Sequence, residues 1–166
     1  MVWGAFSAVG RTPLLRVEGS MNGASYVDVL DSVVVHYICV DYASLGGALF
    51  PEDLAPRHIS KVAEAFKQAS GLKVLPCVGQ SADVNPIENA WAKLERRLRA
   101  RPTAPKTTDK LFVVLQKEWE AIRDAYSKKL AESMPRRVRA VIAAKGAGTK
   151  YLCVCFSGNR WWDRIK

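Results

Sequence analysis

Ser81-Ala82-Asp83-Val84-Asn85-Pro86-Ile87-Glu88-Asn89-Ala90-Trp91 contains the start of the most clearly written helix in the chain. Asparagine is a favoured cap because its side-chain oxygen accepts one of the orphan amides of the first turn. Proline suits that turn because the N–H it lacks has no partner there in any case. Glu88 stands three residues after Asn85. Apolar residues then recur at Ile87, Trp91, Leu94 and Leu98, one face of a 3.6-residue period, with Arg96, Arg97 and Arg99 off it. On that wheel Glu88 lies roughly 90° from the centre of the stripe, at the margin of the buried face.

Upstream of this helix, Ala48-Leu49-Phe50 reads as a short apolar strand running into Pro51-Glu52-Asp53. A helix is predicted over Ile59 to Ala69, with Ile59, Val62, Ala63 and Phe66 on one face and Gly71 beyond its end. Leu72–Leu75 follows as a short buried strand, and residues 76–84 as a loop. Nearer the start, residues 1–19 read as two strands joined by a turn at Val9-Gly10-Arg11, a hairpin. From Asn22 the period becomes helical through Tyr26, Val29, Leu30, Val33 and Val34, until Gly46-Gly47 breaks the chain. Downstream, Pro102–Pro105 is a linker, and Thr107 or Thr108 begins a helix through Leu111, Leu115, Trp119 and Ile122. The last predicted helix runs from Pro135 to Lys145 and ends at Gly146. There are no internal repeats. Strands first, then alternating helix and strand, give an α/β fold with a mixed β-sheet flanked by helices.

A chain of 166 residues fits one domain with a real core. Its 25 Lys and Arg against 16 Asp and Glu leave a formal charge of +9, which favours a polyanionic partner, nucleic acid above all. No apolar run approaches the roughly 18 residues of a membrane span, and no strongly amphipathic basic helix with exposed aromatics supports an anionic membrane surface, so no membrane partner is expected. Met1-Val-Trp-Gly-Ala-Phe is not a signal peptide and reads as a chain that begins inside a strand. Cys39, Cys77, Cys153 and Cys155 do not have zinc-ligand spacing and are expected to be reduced thiols.

Asp53 follows a strand and Glu88 sits in the first turn of a helix, and carboxylates so placed can converge above a sheet edge. Hard cations such as Mg²⁺ take oxygen ligands of this kind and complete their shell with water and substrate phosphate. Two such ions about 4 Å apart would activate a nucleophile and stabilise the leaving oxygen of a phosphodiester. Glu88 also fits a capping-box acid reaching back to Asn85, and Asp53 an ordinary turn residue. The residues alone leave both readings open.

The wider motif resembles the Ser-Pro-Asp-Leu-Asn-Pro-Ile-Glu-Asn-Leu-Trp of Tc/mariner transposases. Phe50-Pro51-Glu52-Asp53-Leu54-Ala55-Pro56-Arg57-His58 is similar to that family's Phe-Gln-Gln-Asp-Asn-Ala-Pro-x-His. Positions 53 and 88 leave 34 residues between them, the spacing of the Tc-one-like branch. Met1–Ala8, Val17–Asn22 and Met134–Tyr151 also fit, so the resemblance runs in order over residues 1–151. It implies an RNase H-like fold, a triad of acids, Mg²⁺ or Mn²⁺, and cut-and-paste transposition of DNA in the nucleus, with a homodimer as a further expectation. Asp53 matches the second catalytic, metal-holding acid and Glu88 the third. The first aspartate belongs before the Trp-Gly segment; Asp28, Asp31 and Asp41 do not match its motif. A catalytic domain truncated at its N-terminus is therefore expected, inactive by itself.

Some positions depart from the family. Leu54 stands for an asparagine, Ala82 for a proline, and Cys77-Val78 for Trp-Pro. Residues 152–166 match nothing in the family and read as an unrelated tail. His58 occupies a family position, with helix-start packing as its plainer role. His36 reads as a partly buried, hydrogen-bonded residue. Arg96, Arg97, Arg99 and Arg101, with Arg136, Arg137 and Arg139, are candidates for DNA phosphates, set against plain solvated helix faces. That basic surface supports an alternative, a domesticated, non-catalytic DNA-binding domain.

Overall fold

The structure, a computed structural model, describes residues 1–38, 49–76, 84–145, 147–149 and 151. They fall into two compact units: Met1–Arg16 with the chain from Ala82 onward, and Val17–Ser81. The tail at 152–166, Cys39, Cys77, Cys153, Cys155, Asp41, the Gly46-Gly47 break and most of the 76–84 loop lie outside the described residues.

In the first unit, β1 (Val2–Trp3) pairs antiparallel with β2 (Leu15–Arg16), Val2 opposite Arg16 and Trp3 opposite Leu15. A bridge from Phe6 to Arg11 closes the expected hairpin. Thr12 pins the turn side: its amide donates to Ala5 O at 2.9 Å and its Oγ1 accepts from the Ala5 amide at 2.9 Å. Helix α3 (Ile87–Arg99) packs Ala90 and Leu94 into a core with Leu14, Leu111, Leu115, Trp119, Ile122 and Leu130. Ile87, Trp91 and Leu98 of the expected stripe close over it half-buried. Trp91 and Trp119 stack with ring centroids 5.2 Å apart, and the Trp119 Nε1–H donates to Thr12 O at 2.8 Å. That bond satisfies the one polar atom of the indole inside an apolar core. Gly4 lies close against this stack: a Cβ there would stand 3.1 Å from Trp119, a tight approach, and 3.4 Å from Trp91, an ordinary contact.

Helix α4 (Thr108–Glu120) is capped by Thr107, whose hydroxyl accepts from the Lys110 amide. The helix expected to reach Ile122 stops at Glu120, and a separate one, α5 (Asp124–Ala131), follows a short turn. The apolar period does not register this break, because Ile122 is still buried. Helix α6 (Met134–Ala143) has proline in its first turn, as expected, and is two residues shorter than predicted at its C-terminal end.

In the second unit, α1 (Gly23–Val29) starts from a full capping box: Asn22 accepts from the Ser25 amide and Ser25 accepts from the Asn22 amide, both at 2.9 Å. It widens into a π-type turn over Leu30–Val35, and Tyr26, Val29, Leu30 and Val34 are buried as their spacing predicts. His36, in contrast, is exposed. Strand β3 (Phe50–Glu52) pairs in parallel with β4 (Val74–Pro76) across α2 (Lys61–Ala69), a βαβ crossover. Both strands sit about two residues later than expected.

The face of α2 also differs. Ala63 is buried as expected, but Ile59 and Val62 are about half exposed and Lys67 is buried. Gly71, with φ +67°, takes the left-handed turn that ends the element, a conformation glycine adopts without penalty.

Candidate functional site

Asp53 leaves the end of β3 and belongs to the unit Val17–Ser81. Strand geometry alternates side chains, so Glu52 points into that unit while Asp53 is left half exposed. Both bonds that fix Asp53 fall on one oxygen: Oδ1 accepts from the Ala55 amide at 3.1 Å and meets His58 Nδ1 at 2.6 Å. His58 Nδ1 also lies 3.2 Å from Asp53 O. The imidazole is held in turn against Tyr26, with ring centroids 4.3 Å apart. His58 is thus the direct partner of Asp53, a role that its position in the motif did not specify.

Beneath Asp53 lies a buried polar network. The Tyr26 hydroxyl donates to Glu52 Oε2 at 2.5 Å, and Lys67 Nζ donates to the other Glu52 oxygen. Lys67 also reaches His58 O at 3.0 Å and Glu64 Oε1 at 2.6 Å. Burial opposes the charge of Lys67, but the hydrogen bonds and charges of Glu52 and Glu64 outweigh it and carry its pKa upward. Burial, and then the bond to the Glu52 carboxylate, holds the Tyr26 hydroxyl far above its ordinary range. Tyr26 therefore stays a phenol and Lys67 an ammonium at neutral pH. A buried pair of this kind needs every lone pair and proton engaged, and here both carboxylate oxygens are.

Glu88 lies in the first turn of α3, in the other unit. The helix begins one residue later than the motif suggests: Pro86 is the cap residue by backbone angle and makes no side-chain cap bond. Asn85 does the capping, its Oδ1 accepting from the Ile87 amide at 3.1 Å. Glu88 is half-buried, as its place at the margin of the stripe requires. Behind it Asn89 is clamped: Arg137 donates to Asn89 Oδ1, and the Tyr126 hydroxyl donates to Asn89 O at 3.2 Å. Arg137 is itself buried and bonded to Ser133 Oγ at 2.8 Å, so it is a structural residue of α6 and not a phosphate contact.

Asp53 and Glu88 offer hard oxygen donors of the type a divalent cation such as Mg²⁺ takes. Among the described residues, no group of three or more His, Cys, Asp or Glu side chains is gathered to hold an ion. No described helix is long and apolar enough to cross a membrane.

The solved structures establish the fold. The chain matches the catalytic domain of Mos1 mariner transposase with a TM-score of 0.72 at 17% identity, covering 90% of this chain and 82% of that one, so it has the RNase H-like fold. The Mos1 catalytic domain has been solved with Mn and with Mg, each matching at a TM-score of 0.73 and 18% identity, over 90% of this chain and 82% and 83% of theirs. The Mos1 paired end complex with Mn matches at 0.76 and 19% identity, over 90% of this chain and 44% of that one.

Sequence shows the homology. The chain is 39% identical over 153 residues to the transposase of transposable element Tcb1 of Caenorhabditis briggsae, and 34% identical over 151 residues to that of Tc1 of Caenorhabditis elegans. Each match covers 91% of this chain and 54% of the relative. The chain is therefore homologous to Tc/mariner transposases over nearly its whole length, and it spans about half the length of the curated relatives it matches. No protein-family model matches it.

Proposed function

We propose that this chain is the catalytic domain of a Tc/mariner-type transposase, with Asp53 and Glu88 as its second and third metal-holding acids and nuclear DNA as its substrate. The observation that carries the reading is the coincidence of position and motif. The aspartate at the open end of β3 and the glutamate in the first turn of α3 stand in the two motifs by which the chain resembles these transposases. Mg²⁺ or Mn²⁺ would supply activation of water and stabilisation of the leaving oxygen.

The chain's own residues do the rest. His58 and the Ala55 amide orient Asp53 through one oxygen and leave its exposed side toward solvent. The Tyr26–Glu52–Lys67 network fixes the strand that presents it. Asn85 and the clamp on Asn89 fix the turn that presents Glu88.

Two acids of a triad cannot position two ions well enough for strand transfer. Residues 1–166 alone are therefore expected to give no metal-dependent nicking of supercoiled DNA. Nicking that disappears in both Asp53→Ala and Glu88→Ala would refute this part of the proposal. The exposed basic residues favour a second reading, a DNA-binding domain retained without catalysis. It predicts salt-sensitive DNA affinity that Asp53→Ala leaves unchanged.

A further inference from the structure

One flank of α3, apart from the row that carries Glu88, gathers positive charge. Lys93, Arg96 and Arg97 lie on it at positions i, i+3 and i+4. Arg97 is neutralised, its Nε bonded to Glu118 Oε2 at 2.7 Å and its Nη1 to Ala121 O at 3.0 Å. Glu118 is engaged a second time by Arg101 at 3.1 Å. Among the described residues no carboxylate pairs with Lys93, Arg96 or Arg123. Lys93 is held instead over the Tyr126 ring, its Nζ 3.6 Å from the centroid. That contact anchors an ammonium without neutralising it.

Arg123 comes from a different element. It is the cap residue of α5, contributes no side-chain cap bond, and sits at the positive end of that helix dipole. Asp124, the acid of the same turn, is turned to Arg11 at 2.9 Å. The cations are close enough to act on one another: burial, and then the charges of Arg97, Arg123 and Arg96, push the pKa of Lys93 down. Like charges brought together from two elements raise the free energy of the isolated domain. An arriving polyanion reverses that sign.

We propose that Lys93, Arg96 and Arg123 form a grip for the phosphate backbone of duplex DNA. Lys93 and Arg96 are about 4.5 Å apart in helix rise, and Arg123 stands on another element, so a run of phosphates can meet them in succession where one small anion cannot. On α6, Arg137 is buried and Arg139 bonds to Pro135 O, so these two are poorer candidates. The inference rests on the reading of the chain as a DNA-handling domain and names a surface of that domain that performs no chemistry.

The test is fluorescence anisotropy of a labelled duplex with the 166-residue chain over a salt series. Each phosphate contact contributes about 0.9 to the slope of log affinity against log salt. Arg96→Gln/Arg123→Gln is expected to lower that slope by about two, so the deficit in affinity grows roughly tenfold between about 200 and 50 mM salt. Lys93→Arg keeps wild-type binding, while Lys93→Met lowers the slope by about one. Arg136→Gln/Arg139→Gln, on α6, is the comparison pair and changes the slope by less than half as much. Arg96 and Arg123 are exposed, so their variants keep the fold, and circular dichroism checks it.

If the wild-type chain binds DNA and the cluster variants bind equally well, or if both arginine pairs lose equally, the grip is overturned and the function proposed above stands. If the wild-type chain shows no salt-dependent DNA binding, both readings fall. Tighter, cluster-dependent binding to anionic lipid vesicles than to duplex would also overturn the grip.

Discussion

The two units hold their key acids by opposite means. In Val17–Ser81, the strand that presents Asp53 is fixed by a buried carboxylate, Glu52, bonded to a phenol and an ammonium. In the other unit, the helix that presents Glu88 is fixed by an apolar seam centred on Leu94, Leu115 and Trp119, with one indole hydrogen bond inside it. A three-residue strand buries little surface of its own, so directional polar bonds supply its precision. A thirteen-residue helix presents a whole face, and non-directional burial suffices. Polar fixation should therefore fail abruptly and with pH, and apolar fixation gradually and with volume.

The largest effect is expected from Lys67→Met. It leaves the Glu52 carboxylate buried without its cation, a loss of about 3–5 kcal/mol. Lys67→Met combined with Glu52→Gln should recover much of that loss, because no uncompensated charge remains. Denaturant unfolding of the three proteins checks this, and equal losses in the single and double variants would break the contrast. Next comes Leu115→Ala, which opens a cavity in the apolar seam and costs about 2–5 kcal/mol. That cost is expected to be the same at neutral and alkaline pH, measured in the same way.

Tyr26→Phe is the smallest change, about 1–3 kcal/mol for the lost bond to Glu52. It carries a pH signature. Tyr26 and Lys67 both have folded-state pKa values above their ordinary values of 10.0 and 10.5. A raised value stabilises the protonated form in the fold, so that stability is complete below about pH 10 and is lost as pH rises beyond it. Wild type should lose stability on going from roughly pH 8 to pH 11, and Tyr26→Phe should lose less over the same interval. Parallel losses would show that the hydroxyl does not titrate with unfolding.

The same contrast explains how much of the molecule could be read from sequence. The apolar unit was largely legible. Ile87, Trp91, Leu94 and Leu98 repeat with the helical period, and Asn85 and Thr107 mark the helix starts. What periodicity missed there was α5, whose separation from α4 involves no glycine or proline between Glu120 and Asp124.

The polar unit was read less well. The face of α2 was assigned from Ile59, Val62, Ala63 and Phe66; Ala63 is buried, but Ile59 and Val62 are half exposed, and the buried Lys67 was not singled out. A lysine is buried only when a partner is supplied, and its partner Glu52 lies fifteen residues away. Hydrophobic patterning contains no term for such a pair. Asp53 and Glu88 were singled out by motif, while the bond from His58 to Asp53 came only from the structure.

The central claim is that Asp53 and Glu88 are metal-holding acids. It is tested most directly by titrating the chain with Mn²⁺ and reading bound ion by electron paramagnetic resonance, for wild type, Asp53→Asn and Glu88→Gln. Because these substitutions preserve shape, the account predicts folded proteins in which each change weakens Mn²⁺ binding at least about tenfold, a loss of roughly 1.4 kcal/mol or more. Wild-type affinity in both variants would contradict it.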